Sequence, residues 1–220
     1  MTDLYPDLPI PPTGLAATAL RFAQRIEPAP IFNHSLRSYL FGRAVGQRQG
    51  LRAAHDYDDE LLFLGCVLHD VGLSDEGNGR QTFDLDGADL AAEFLGREGV
   101  APDRVEIVWN AIALHLTPHI ARRKRPEIAL VSTGAGVDLG AGPEALPDGY
   151  AEQVHAVLPR LHAAPVIRDA IVEQALRDPG KAPPLSLAGE LVRQRTAAAW
   201  PTWEQLTQSP GWHDYDGYEA

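Results

Sequence analysis

Apolar residues recur every three or four positions through most of the chain, the period of helices that bury one face. The first such stretch begins near Thr13, carries Leu15, Ala19, Phe22 and Ile26 on one side, and stops at Glu27-Pro28-Ala29-Pro30. A second runs from Ile31 to Gly50, with Asn33 or Ser35 near its start and Leu36, Leu40 and Ala44 on its apolar face. Asp56 to Glu60 then places negative charge where a helix begins, and Leu61 to Leu68 is apolar nearly all round. A segment of that kind belongs at the centre of a bundle, buried on most faces. His69 and Asp70 emerge at its carboxyl end, just before Gly72. The polar stretch Ser74 to Arg80 reads as a flexible loop able to act as a lid or to border a site.

Helical spacing resumes with Leu90, Phe94 and Leu95, closes at Gly96 to Gly99, and restarts at Pro102 and Asp103. In that next helix Val105, Val108, Ile112 and His115 share a face, which turns His115 towards the core. His119 follows one turn later, where Pro118 bends or ends the helix. Pro126 and Glu127 open another apolar helix whose Gly134, Ala135 and Gly136 permit close backbone approach beside Asp138. The last third shows helical spacing from Ala151 to Arg177 and again around Leu187 to Ala199, and reads as packing. Trp200, Trp203, Trp212, Tyr215 and Tyr218 form an aromatic tail expected to fold back over the core or to meet a second subunit in a homo-oligomer. No alternating strand pattern, internal repeat or glycine-rich phosphate loop interrupts this reading. The expected class is all-α, in one domain over residues 1–220, with a proline-rich arm at the start and a helical extension over about residues 150–220.

Charge narrows the partners. A net charge of −11 repels phosphate backbones and anionic lipid, so neither nucleic acid nor a membrane surface is an expected partner. The basic run Arg122 to Arg125 is the one local exception. The lone Cys66 lies among Leu64, Val67 and Leu68 and reads as a core thiol. The first residues lack a basic and apolar leader pattern, and no apolar run reaches the roughly 20 residues of a bilayer span, so a cytoplasmic location is expected.

The candidate chemistry starts from Asp70. An ionised carboxylate at the end of an apolar run needs a partner or a cation, because burying it alone costs several kcal/mol or more. His34, His69, Asp70 and Asp138 together make a mixed nitrogen and oxygen set that suits zinc, manganese, iron or nickel. With 8 histidines and 30 acidic residues in the chain, the same four also read as ordinary satisfied groups of core and surface.

The order His34, then His69-Asp70-Val71-Gly72, then a distant Asp138 resembles the HD-domain superfamily of metal-dependent hydrolases, all-helical enzymes named for the histidine-aspartate pair. The likeness covers about residues 31–140. Within it, Asn33 to Gly42 and Leu68 to Glu76 are most similar to the cyanamide hydratase-like branch, whose members hydrate a carbon-nitrogen triple bond at zinc. The resemblance implies His34, His69, Asp70 and Asp138 as ligands of one divalent ion, zinc before iron, manganese or nickel. It also implies Asp70 and His115 as catalytic groups, Asp70 taking a proton from the attacking water and His115 passing one to nitrogen. Substrate contacts are expected from His115, His119 and Arg37. Relatives with two metals carry a further histidine where this chain has Phe83, so one metal is expected. Many phosphohydrolases carry a lysine shortly after Gly72, where this chain has Leu73 and Ser74 and then the acidic Asp75 and Glu76, which favours a small neutral substrate. The alternatives are a phosphohydrolase for a nucleotide or small phosphate ester, with the Arg122 to Arg125 run neutralising charge, and a non-catalytic metal-stabilised binding domain.

Overall fold

A computed structural model describes residues 8–197 and 201–208, and among these eleven α-helices and no named strand occur. In chain order they are α1 (Gly14–Ile26), α2 (Ala29–Arg48), α3 (Asp59–Val67), α4 (Phe83–Arg97), α5 (Pro102–Ala113) and α6 (Pro118–Ala121). They continue with α7 (Pro126–Asp138), α8 (Tyr150–Val157), α9 (Ala163–Arg177), α10 (Leu187–Thr196) and α11 (Trp203–Gln208). The all-α expectation holds.

Local signals explain most boundaries. Thr13 caps α1 by accepting from the Ala16 amide, and Asp58 caps α3 by accepting from Leu61, so both starts follow from a side-chain oxygen beside orphan N–H groups. Proline occupies the first turn of α5 and α7, where its missing N–H removes no hydrogen bond. One boundary differs from expectation. Helix α2 begins at Ala29, right after Pro28, because Pro30 tolerates a first turn; Asn33 and Ser35 are interior and buried, and His34 sits in the second turn.

Helix α3 is the hub. All seven residues from Leu61 to Val67 are buried, and α1, α2, α5 and α7 pack around it. The most extensive helix pair is α2 with α7. Their backbones approach at two glycines: a Cβ on Gly134 would strike the Ser38 carbonyl oxygen, and one on Gly42 would lie 2.8 Å from the Leu130 carbonyl oxygen. This approach brings the His34 turn of α2 beside the carboxyl end of α7. A smaller apolar cluster of Ile31, Leu73, Phe83, Ile167, Ile171 and Ala188 ties α9 and α10 to the start of α4.

The loop after the histidine-aspartate pair is pinned. Ser74 donates to the Val71 carbonyl at 2.6 Å and accepts from Gly77, Arg25 pairs with Glu76, and the buried ion pair of Lys181 with Asp86 grips the Gly79 carbonyl at 3.2 Å. It does not border the cavity described below, so the lid expectation is corrected: internal hydrogen bonds hold this loop. Of the aromatic tail, Trp203 is described and is 70% exposed, so within one chain it does not fold back over the core; Trp200, Trp212, Tyr215 and Tyr218 lie outside the described residues. No described helix is long and apolar enough to cross a membrane.

The close approach of α2 and α7 carries a direct expectation. Gly134→Ala should lower unfolding free energy by about 1–3 kcal/mol, since the obstructing atom is backbone that cannot rotate away. Denaturant titration reads this, and an unchanged midpoint would refute the contact.

Candidate metal centre

Three buried donors meet where α2 passes the end of α3. Donor atoms of His34, His69 and Asp70 all lie within 4.8 Å of one another. Each ring is oriented from behind. His34 Nδ1 donates to Asp138 Oδ2 at 2.6 Å, and His69 Nδ1 donates to the Cys66 carbonyl at 2.7 Å. A neutral imidazole with its hydrogen on Nδ1 presents a lone pair at Nε2. The two Nε2 atoms face each other at 3.2 Å, and Asp70 Oδ2 stands 3.7 Å from one and 3.4 Å from the other. Asp70 Oδ2 is buried and has no hydrogen-bond partner.

Electron-pair donors turned towards one another in a buried site repel unless a cation lies among them. His69 and the neighbouring His115 do not readily supply that charge themselves. Burial, with the neighbouring His34, holds His69 down to about 3, and burial with the neighbouring His69 holds His115 down to about 4. Burial also pushes the Asp70 carboxyl up, against the pull of His34 and His115. Two imidazole nitrogens and a carboxylate oxygen form a donor set that fits a divalent transition metal.

His115 stands beside this group. Its Nδ1 donates to the Ile112 carbonyl at 2.6 Å, which turns Nε2 towards Asp70 Oδ1 at 3.9 Å. Its ring packs edgewise on His69 and on Phe83, so Phe83 fills the space beside it with carbon. His34, His69, Asp70 and His115 all line one cavity of about 250 Å³.

Three expected site residues are placed differently. Asp138 stands outside the group of three, because both of its oxygens are already engaged. Arg37 Nε donates to Oδ1 at 2.7 Å and Arg37 Nη2 to Oδ2 at 2.8 Å, alongside the His34 bond. Burial opposes ionisation of Asp138, yet the hydrogen bonds from Arg37 and His34 hold its carboxyl well below the usual range. Arg37 itself is fully buried, spends its remaining donors on the Leu158 and Pro159 carbonyls, and does not line the cavity. Its donors are thus engaged by Asp138 and these two carbonyls. His119 is exposed on α6 and is also absent from the cavity wall, since the bend at Thr117-Pro118 turns it outward.

Some neighbours carried no usable sequence signal. Arg160 donates to the Asp138 backbone carbonyl at 2.8 Å, and His155 Nε2 lies 3.9 Å from Asp138 Oδ1. Glu27, which reads as part of a helix stop, is a buried carboxyl that burial and the nearby Asp70 push well up, with Ser35 as its hydrogen-bond donor at 3.5 Å. All three owe their positions to chain crossings that no local spacing encodes.

Fold and site together define an all-helical protein with a histidine-histidine-aspartate cluster at the end of its central buried helix. The family model for the HD domain matches residues 31–148, more than half of the chain, and the chain belongs to the HD domain family. Two proteins of Saccharomyces cerevisiae named cyanamide hydratase, DDI2 and DDI3, are each 34% identical to it over 110 residues. The aligned part is 48% of this chain and 48% of each relative, so about half the length of those proteins is spanned. The HD domain implies a divalent metal, and the cluster of His34, His69 and Asp70 fits one.

The buried histidines predict a pH dependence of stability for the metal-free protein. Unfolded imidazoles protonate near pH 6.5, whereas in the folded chain His69 and His115 do so at about 3 and about 4. Between those values the unfolded state binds more protons at these two rings, so they lower stability as pH drops from about 6.5 towards 4, while the raised Glu27 and Asp70 carboxyls act in the opposite sense. The depressed Asp138 carboxyl adds a further loss below about pH 4. Thermal melts in the presence of a chelator on a Glu27→Gln/Asp70→Asn variant, which removes the two opposing carboxyls, check this, and a flat profile from pH 7 to 4 there would contradict the buried neutral rings.

Proposed function

We propose that this chain is a metal-dependent hydratase that adds water to the carbon-nitrogen triple bond of a small uncharged nitrile-type substrate such as cyanamide. The observation that carries the reading is the meeting of His34 Nε2, His69 Nε2 and the unpartnered Asp70 Oδ2 in a cavity. The partial likeness to yeast proteins named cyanamide hydratase supports the substrate class. His34, His69 and Asp70 hold one divalent ion, zinc first among the metals suited to two nitrogens and an oxygen. Such an ion lowers the pKa of water towards about 7 and so makes a nucleophile available at neutral pH.

The chain's own groups do the rest. Asp138 keeps the hydrogen of His34 on Nδ1, which leaves Nε2 free and aimed inward; Arg37 keeps Asp138 ionised. The carbonyl of Cys66 does the same for His69. Asp70 Oδ1, facing His115, receives the proton of the attacking water, and His115 Nε2 hands it to the substrate nitrogen. His115 is neutral near pH 7, so it accepts before it donates. Oxygen bonds to carbon and one of the carbon-nitrogen π bonds breaks to give an imidic acid or isourea, and transfer of the remaining O–H proton to nitrogen gives the amide or urea.

A second reading has one observation behind it. Arg122, the first residue of the basic run, lines the same cavity and could meet a phosphate, whereas Arg125 is paired with Glu127. Protein loaded with zinc, iron, manganese or nickel should be offered cyanamide, nucleotides and small phosphate esters, with urea and phosphate both measured. Urea formation without phosphate release supports the hydratase. Phosphate release without urea reverses the ranking, and no turnover with any metal, joined to unfolding on chelation, leaves a metal-stabilised binding domain.

Variants separate the roles. His69→Ala should abolish metal binding and activity together. Asp138→Asn should weaken metal affinity about 10- to 100-fold while leaving a measurable site, as expected of a group behind a ligand. His115→Gln should retain full metal content and lose at least about 100-fold in kcat. Metal analysis beside the rate measurements distinguishes these, and full occupancy in His69→Ala would sink the assignment.

A further inference from the structure

The metal centre accounts for one end of the cavity and leaves its walls unexplained. Cyanamide has three non-hydrogen atoms and occupies about two water volumes, roughly 60 Å³ at about 30 Å³ per water. The cavity holds about 250 Å³. Most of that space adjoins carbon. Phe83 and Leu116 line it from the side of the metal-binding core, Ile167 and Ile171 from α9, and Leu187 from α10. Phe83, Ile167 and Ile171 are 3%, 7% and 3% exposed and belong to one packed cluster, so this wall is built in advance of any ligand. At the mouth, Leu139 and Leu187 are 45% and 42% exposed, apolar surface that an occupant would cover. A three-atom polar substrate would leave the whole of it against water.

The two halves of the cavity also come from different parts of the chain. The metal-binding cluster falls within residues 31–148 matched by the HD domain, whereas α9 and α10 lie beyond that match. The chemistry is shared with the family, and the wall comes from outside the shared segment.

We propose that Ile167, Ile171 and Leu187 determine specificity, and that the substrate is an uncharged nitrile or cyanamide bearing an apolar substituent of about four to six carbon atoms, at roughly one water volume each. The inference rests on the hydratase reading of the same site. The reaction is unchanged: water oxygen bonds to the nitrile carbon, its hydrogens end on the product, and an amide or a substituted urea forms with no leaving group. The substituent lies between α9, α10 and Phe83. Each methylene moved from water to such a wall strengthens binding about fourfold.

The test compares cyanamide with N-butylcyanamide on zinc-loaded protein by product chromatography, and urea with N-butylurea by calorimetry. The butyl compound should show kcat/KM at least about tenfold higher, and butylurea should bind at least about tenfold more tightly than urea. Ile171→Trp and Leu187→Trp, which fill the chamber, should each reduce both ratios about tenfold or more. Leu187 is on the half-exposed rim, so its variant decides the matter if Ile171→Trp fails to fold. Equal values for the small and butyl compounds in both assays would overturn the proposal, as would unchanged ratios in Leu187→Trp with normal melting and zinc content. Should neither cyanamide be hydrated, the hydratase reading fails, and the calorimetric ratio still judges the wall.

Discussion

The structure depends on one unfavourable juxtaposition: two imidazole nitrogens and a carboxylate oxygen are turned towards one another, and no protein group donates a hydrogen bond to that oxygen. Each ring is held in that posture from behind, His34 by Asp138 and His69 by the Cys66 carbonyl. Reversing either ring would relieve the repulsion at the cost of a buried hydrogen bond, so the arrangement persists only because the surrounding packing enforces it. A cation converts the same geometry from a cost into a binding site. The burial that keeps His69 unprotonated therefore also keeps its Nε2 available as a donor.

Packing supplies the enforcement. The fully apolar α3 has nowhere to go except the centre, and α1, α2, α5 and α7 close around it. Gly42 and Gly134 allow α2 and α7 to meet backbone to backbone, which sets Asp138 against His34 and Arg37. The Arg37 fork then neutralises the Asp138 carboxylate, so the charge behind His34 is balanced before any metal arrives. Stability and site are coupled here: a residue that loosens the α2 and α7 contact also disturbs a ligand's orientation.

How much of this was legible in the chain depends on the range of the signal. The all-helical class, the central place of Leu61 to Leu68, the caps at Thr13 and Asp58, and the inward turn of His115 all follow from spacing within a dozen residues. Likeness to the HD-domain family added His34 and Asp138 to the adjacent pair. Arg37 illustrates the limit. It is three residues from His34 and was expected to touch substrate, yet the crossing of α2 and α7 gives it a buried carboxylate instead. His119 shows the converse, since a single bend before Pro118 was enough to send it to solvent.

The sequence by itself determined the helices, the buried hub and the place of the His69-Asp70 pair at its end, because helical periodicity, capping oxygens and an acid closing an apolar run are local properties of the chain. Tertiary structure alone decided which oxygen is free. Asp70 keeps one unpartnered and Asp138 does not, because Arg37 and His34 reach Asp138 first. It also decided the cavity's far wall, where α9 and α10 return to the cluster of His34 and His69, about a hundred residues or more earlier in the chain. Contacts at that separation leave no spacing to read: they depend on how helices cross, and crossing angles come from the sum of many side chains packing at once.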